Sequence, residues 1–549
     1  MKPLLRRLPS CGAWVLLSVL LTVLATWPAA GLITDHLLEP LYLPDVQGGM
    51  YWPWAFSQSL LAGEPIYHRP ELMWPAGQDV QLLIWNHGVQ LLIFPFFALL
   101  DPIPATNLAA LLIVSLNGLA GAWAGRQVSG TRAGALLGMC VAIGAPYGFV
   151  EAGVGRPEQG LWAPLAVWMG ALTGLWRTPA DRSRAIIAGL ALAAAGAVYW
   201  FYAIFALLVL ALSLPLSRPS REHLVALLLA GGIALVAVSP FLLPVISALS
   251  SSPEVISAAV ETNDTVAMQT RASIRPLGFF GPLASGEERS WRLPMLVLPG
   301  LLVALARGER GIRLVAACGL IAAVLSAGPV LLDGTRGALG VPLPGALLDV
   351  LPGFERFWWP YRWQALSVAA LTVVLPVLLR HRVLAVVVAA LSLVEGAVIL
   401  RDGGQRAVMG RAEVPALFVS LGALEGTHPI LQLPSPWLRN SRVGFIPWHG
   451  QPVDGGMGSG MGITPPAREI MMLALIEEAS RDPDIRGLER YTEEEAGGFH
   501  YVILYSEGPS KKRGPLRRGL KRALGEPFYE DSAMRVWAVP GLADPVVVP

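Results

Sequence analysis

Charge is what this sequence has least of. Only 15% of its 549 residues are Asp, Glu, Lys or Arg, against roughly 25% in a typical soluble domain. Hydrophobic residues make up 54%, and the mean hydropathy is +0.54. A chain this long with so few charges cannot hide its apolar surface from water, so lipid must cover part of it. Cysteine is scarce too. Cys11, Cys140 and Cys318 stand far apart, within or at the edge of apolar runs. Their spacing excludes a CxxC or zinc pattern and marks each as an inert buried thiol. There is no HExxH, no Walker loop and no GxGxxG opening a helix, so zinc chemistry and nucleotide hydrolysis have no support. The net charge of +2 says little about partners; its distribution says more.

What is present in quantity is the long apolar run. Runs near 12–33, 107–125, 133–150, 161–176, 185–198, 200–216, 223–247, 293–306, 312–331, 363–379 and 383–400 are each candidate membrane helices. The first has the basic start and small residues of a signal peptide, but its length and the many later spans mark it as an uncleaved helix. The connections alternate in character. One set is short and basic, with Arg6 and Arg7, Arg126 and Arg132, Arg177, Arg182 and Arg184, Arg218 and Arg221, Arg307, Arg310 and Arg313, and Arg380 and Arg382. The other set is long, mixed in charge and rich in Trp, Tyr, Pro and Gly. Short basic loops belong on the cytoplasmic side, which puts the N-terminus inside. The run 82–100 keeps that parity only if it dips in or lies along the interface, broken at Pro95. The long loops 34–106, 248–292, 332–362 and the tail 401–549 then all face outward, and function is to be sought there.

The expected fold class is an all-α polytopic membrane protein with about eleven transmembrane helices, spanning 1–400, followed by a small α/β extracytoplasmic domain over 401–549. In the tail, HPILQLP, HYVILYSEG and MRVWAVP read as strands, while PAREIMMLALIEEASR and KRGPLRRGLKRALGE have helical spacing. The glycine-rich GGMGSGMG at 455–462 falls on the outer side, where cytosolic nucleotides do not reach.

The order of features resembles bacterial membrane glycosyltransferases of the GT-C superfamily, the polytopic kind with an external C-terminal domain. The resemblance rests on an acid near the start of the first external loop, on WPAGQDVQLLIWNHG, and on the stretch from PATNLAALLIVSLNG through GVGRPEQGLWAPLAVW. It rests further on PGFERFWWPYRW, PILQLPSPW, IPWHGQPVDGGMGSG and the final FHYVILYSEG…MRVWAVP. The chain departs from simpler members in carrying PDVQGG where a GD pair is common. The resemblance implies an inverting enzyme of the bacterial cytoplasmic membrane. It would take a hexosyl or pentosyl group from a polyprenyl-phosphate carrier and pass it to a glycan, lipid or protein hydroxyl on the outer face, in cell-envelope glycan or glycolipid assembly. Some members use a divalent cation, Mg or Mn, and others none.

Direct displacement needs a base for the acceptor proton and positive charge at the leaving phosphate. Asp45 matches the family's acid and is the expected base or metal ligand; the other reading is a surface Asp capping a helix that starts near Gly48. Asp35, Glu39, Glu64 and Asp79 compete with it in the same loop. Trp52, Trp54 and Phe56 would anchor that helix in lipid. GVGRPEQG supplies Arg156, Glu158 and Gln159, either as a second wall of the site, with Glu158 on acceptor or metal and Arg156 on phosphate, or as a solvated turn. Arg356 and Arg362 stand among Trp358, Trp359, Tyr361 and Trp363, as a phosphate fork or as snorkelling residues of an aromatic belt. His68 and His87 share the loop with Asp45 as substrate contacts or structural histidines, and His449 shapes a loop of the tail. Two other functions are open to such a chain: a transporter or flippase for a lipid-linked or small solute, and an inactive scaffold of the same fold. Transporters carry ionisable groups within broken spans, whereas the acids here lie in outer loops.

Overall fold

The computed structural model describes residues 11–37, 44–74, 77–80, 87–251, 269, 273–276, 278–279, 292–332, 338–350, 359–402, 410–412, 414–433, 445–453, 498–506 and 510–548. Each apolar run falls on a helix. In chain order these are α1 (Cys11–Ala25), α2 (Pro44–Ala62), α3 (His87–Leu99), α4 (Pro102–Ser129), α5 (Arg132–Gly144), α6 (Pro146–Gly153), α7 (Pro157–Gly160), α8 (Ala163–Arg177), α9 (Arg182–Val198), α10 (Trp200–Ser217) and α11 (Arg221–Ser251). The helices Val297–Arg307, Arg310–Ser326, Gln364–Leu378 and Arg382–Asp402 complete the bundle. Among the described residues, five helices are long and apolar enough to cross a membrane, and six if one bent pair counts as a single span. That pair is α5 and α6, expected as one run over 133–150 but bent by 42°. Ala145 is extended because Pro146 follows it, and Pro146 opens the next helix at its first position. At 13 residues α3 is about 20 Å long, too short for a hydrocarbon core of roughly 30 Å.

Small residues let the helices pack closely. Gly121 of α4 faces Gly138 of α5, and Gly144 of α5 faces Ser392 and Gly396 of the helix Arg382–Asp402, so near that a methyl group at any of these glycines meets backbone. Four of the short basic connections, those at 126–132, 177–184, 218–221 and 307–313, meet at one end. Arg177 donates to the Val128 carbonyl at 2.9 Å and to Glu309 at 2.6 Å, and His223 packs on Trp176 with ring centroids 5.0 Å apart. These four loops of one charge character therefore share one face.

The described strands begin with β1 (His36–Leu37), β2 (His68–Arg69), β3 (Gln78–Asp79), β4 (Val330–Leu332), β5 (Ala338–Pro342) and β6 (Gly410–Arg411). At the other end lies a four-stranded sheet from the tail, ordered β7 (Ile430–Leu433), β8 (Tyr501–Tyr505), β10 (Met534–Ala538) and β9 (Tyr529–Glu530). β7 pairs parallel to β8, and the remaining pairs are antiparallel. The strand alternation is visible in the packing. Leu431, Leu433, Val502, Leu504 and Trp537 meet Leu520 and Leu524 of the helix Ser510–Leu524. Ile430, Tyr501, Ile503, Met534 and Val536 point the other way, into a core shared with Val46, Met50 and Tyr51 of α2. All three strands and the second helix expected in the tail are present; PAREIMMLALIEEASR and GGMGSGMG lie outside the described residues.

The same core corrects the reading of the α2 aromatics as lipid anchors. Phe56 is buried, and Trp52 and Trp54 pack against the protein core. α2 packs between the sheet and α3, so Phe56 and the inner faces of Trp52 and Trp54 find protein partners. Cys140 and Cys318 are buried free thiols, as expected; the Cys11 side chain is not described.

Candidate functional site

α2 begins at Pro44, earlier than expected, so Asp45 sits in its first turn, half-exposed. A carboxylate there is favoured by the helix dipole. The turn after α6 comes up against it. Gly155 adopts φ +90°, and a methyl group at Gly155 would lie 2.8 Å from the Val46 Cα, with the Asp45 carbonyl closer still. Only glycine tolerates both the left-handed backbone and that approach. The contact carries Arg156 to Asp45, Nη2 to Oδ2 at 2.5 Å.

Arg156 has three partners besides. Its Nη1 lies 3.1 Å from Glu151 Oε2 and donates to the Tyr361 hydroxyl at 3.1 Å, and its guanidinium lies 5.9 Å from the Trp359 ring centre. The Tyr361 hydroxyl in turn donates to Glu151 Oε2 at 3.2 Å. Burial works to lower the Arg156 pKa, but Tyr361, Glu151 and Asp45 outweigh it and hold the group well above its ordinary value. Arg156 is a permanent cation.

Arg362 enters from the one-turn 3-10 helix Pro360–Trp363. It donates to the Tyr199 hydroxyl at 2.5 Å, and its guanidinium packs 5.4 Å from the Trp359 ring centre. Trp359 therefore touches both guanidinium groups. Gln159 is buried on α7, where its carbonyl accepts from Tyr202, and the Tyr147 and Tyr202 hydroxyls lie 3.1 Å apart. Glu158 is partly buried and accepts from the Gln159 side chain at 3.4 Å.

The structure thus brings Asp45, Arg156 and Arg362 to one place, with Glu158 and Gln159 in the adjoining turn. The histidines stand elsewhere. His87 is buried at the start of α3, its Nε2 2.8 Å from the Tyr67 hydroxyl, and packs on Phe241. His68 is exposed on β2 (His68–Arg69), which pairs with β3 (Gln78–Asp79). His449 is buried, accepts from the Gln451 amide at 2.9 Å, and has its pKa lowered by burial to about 3. Arg356 lies outside the described residues. Among those described, no group of three or more His, Cys, Asp or Glu is placed to hold a metal ion. Asp45 and Glu158, the pair considered for Mg or Mn, supply only two such side chains, and Asp45 already faces a guanidinium.

Sequence reasoning missed Glu151. It is fully buried on α6, and its Oε1 makes no hydrogen bond among the described residues. The available signal was a lone carboxylate in PYGFVEAGVG, at the end of an apolar run and five residues before Arg156. It also missed the brace behind α2, where buried Arg69 donates to Glu71 Oε1 at 2.9 Å and 2.5 Å and to Ser59 at 2.5 Å, while Tyr51 donates to Glu71 at 2.7 Å.

No protein-family model and no curated protein sequence matches the chain. Solved structures do. The undecaprenyl-phosphate-bound ArnT of Cupriavidus metallidurans aligns at 14% identity with TM-score 0.54, covering 98% of this chain and 100% of that one. Its apo form gives 15% identity and the same TM-score and coverage. The archaeal oligosaccharyltransferase AglB of Archaeoglobus fulgidus, in complex with an inhibitory peptide and a dolichol-phosphate, aligns at 12% identity with TM-score 0.50, covering 94% of this chain and 71% of that one. These neighbours are GT-C glycosyltransferases, and at such identities what this chain shares with them is the fold.

Proposed function

We propose that the protein is a membrane glycosyltransferase that moves a sugar from a polyprenyl-phosphate carrier to a hydroxyl acceptor on the extracytoplasmic face of a bacterial cytoplasmic membrane. The observation that carries this is the meeting of one half-exposed carboxylate with two guanidinium groups drawn from three distant parts of the chain, the Asp45–Arg156–Arg362 cluster. The fold neighbours solved with undecaprenyl phosphate and dolichol-phosphate support the choice of donor.

The chemistry follows from the groups. The acceptor hydroxyl gives its proton to an Asp45 oxygen while its own oxygen bonds to the anomeric carbon. The bond from that carbon to the phosphate oxygen breaks, and the electron pair leaves with the phosphate. Arg156 and Arg362, both fixed by Trp359, take up the charge that develops there. Attack opposite the leaving group inverts the anomeric centre. The gathering of four basic loops at the far end supports an outward-facing site and a cytoplasmic N-terminus.

A general base contributes about 10²–10⁴-fold. Asp45→Asn should therefore lower release of polyprenyl phosphate from a lipid-linked sugar by that factor in purified, folded protein. Transfer at the wild-type rate by this variant would remove Asp45 from the reaction. Movement of intact lipid-linked sugar between leaflets, without cleavage, would replace the enzyme with a flippase.

A further inference from the structure

Arg156 is held by two carboxylates in unlike settings. Glu151 is wholly buried behind it and is tied to Tyr361, which also bonds Arg156, closing a three-membered ring of contacts. Asp45 is half-exposed in front of it and bonds the other terminal nitrogen, Nη2. One guanidinium cannot serve both a phosphate and two carboxylates equally. An ion pair open to water is worth little and exchanges readily, whereas a buried one is lost only at the cost of an uncompensated charge.

The geometry points to Glu151 as a positioning residue, the permanent partner of Arg156, with Asp45 the exchangeable one: donor phosphate replaces Asp45 on Arg156 and so frees the carboxylate to take the acceptor proton. This rests on the glycosyl-transfer reading above. Glu151 touches neither the reacting carbon nor the acceptor; it acts through Arg156. The rigid arm that carries it is the bend at Pro146, which turns α6 away from α5 and brings Glu151 under the Gly155 turn. Asp45, in contrast, stands at a helix start and moves by side-chain rotation alone. The arrangement couples the two substrates, because the base is engaged until the donor has arrived and no hydroxyl or water is activated beforehand.

The two carboxylates are then expected to respond to removal with opposite signs. Binding of undecaprenyl phosphate, without sugar, is measured on wild type, Asp45→Asn, Glu151→Gln and Glu151→Asp in nanodiscs. Asp45→Asn should bind the lipid about two- to fivefold more tightly, since it removes an exposed competitor. Glu151→Gln should bind about tenfold more weakly, because Arg156 loses its charged anchor and turns wholly to Asp45. Glu151→Asp, which restores the charge, should recover part of the affinity. A residue needed only for folding would lower the amount of binding-competent protein and leave the dissociation constant unchanged. Unchanged or tighter binding by Glu151→Gln overturns the anchor, and weaker binding by Asp45→Asn overturns the exchange. These results would leave the functional reading intact if wild type binds the lipid. Wild type that binds no undecaprenyl phosphate at all would sink both.

Discussion

The approach of α2 to the Gly155 turn is where local backbone chemistry meets the proposed reaction, and it lends itself to a quantitative test. Gly155→Ala adds a methyl group 2.8 Å from the Val46 Cα, where ordinary contact begins at 3.4 Å. The Asp45 carbonyl oxygen lies closer still, so the start of α2 must retreat by more than about 0.6 Å, and the left-handed backbone at φ +90° adds about 1–2 kcal/mol of strain. A misplacement of 1 Å costs roughly 10²-fold in rate, so a loss of about tenfold or more is expected from the retreat alone. Strain and retreat are separated by the reciprocal change. Gly49→Ala on α2 places its methyl 2.6 Å from the Gly155 carbonyl carbon but sits within a helix, where Ala is favoured over Gly by about 1 kcal/mol. Gly49→Ala should thus lose about tenfold in sugar transfer without the αL penalty that Gly155→Ala carries. Transfer is followed as polyprenyl phosphate released per folded protein, and stability by thermal unfolding in the same detergent. If Gly49→Ala transfers at the wild-type rate, the close approach does not set the Asp45–Arg156 geometry and the reasoning fails.

Two further predictions concern the outer half. His449 is buried and neutral, with its pKa lowered by burial to about 3 against about 6.5 in the unfolded chain. The unfolded state then binds one more proton between those values, so stability is complete above about pH 6.5 and falls by about 1.4 kcal/mol per pH unit as pH drops toward 3. His449→Gln should flatten that part of the stability profile in denaturant titrations, and an unchanged slope would refute the assignment. Glu71→Ala leaves buried Arg69 without its carboxylate and should cost about 3–5 kcal/mol. The double change with Arg69→Met should recover much of this, and a double variant no more stable than the single would show that the charge was not the problem.

Legibility followed the physics of each element. The apolar runs were readable because lipid demands unbroken hydrophobic stretches, and the strands of the tail because both faces of their sheet are covered. The Pro146 bend was signalled by an Ala-Pro step inside a run read as continuous. Asp45, Arg156 and Arg362 each carried a chemical reason to be noticed, but nothing in the spacing placed them together; Gly49 and Gly155 do that through a contact between residues over a hundred positions apart. Glu151 stayed hidden because one acid at the end of an apolar run looks like the start of a loop. Its significance depends on Tyr361, which is 210 positions away. The α2 aromatics were misread because a sequence shows amphipathic character without saying whether lipid or protein meets the apolar side.

That last point bears on how the tail is joined to the site. The two are stitched by backbone: His36 and Leu37 pair with Arg411 and Gly410, the Trp74 amide donates to the Val453 carbonyl at 3.0 Å, and the Val453 amide donates to the Glu71 carbonyl at 2.9 Å. The sheet face that carries Ile503 shares a core with Val46, Met50 and Tyr51, on the helix whose first turn holds Asp45. The opposite face carries Leu504, which packs with the helix Ser510–Leu524. These two neighbours on β8 are both buried and similar in volume, so Ile503→Ala and Leu504→Ala should each cost about 2–5 kcal/mol of stability. Their effects on transfer should differ. Ile503→Ala opens a cavity against α2 and should lower the rate per folded molecule, whereas Leu504→Ala should leave that rate near wild type. Equal losses would mean the tail supports the site only by keeping the whole chain folded. A loss confined to Ile503→Ala would mean that one face of the tail sheet holds the proposed base in position.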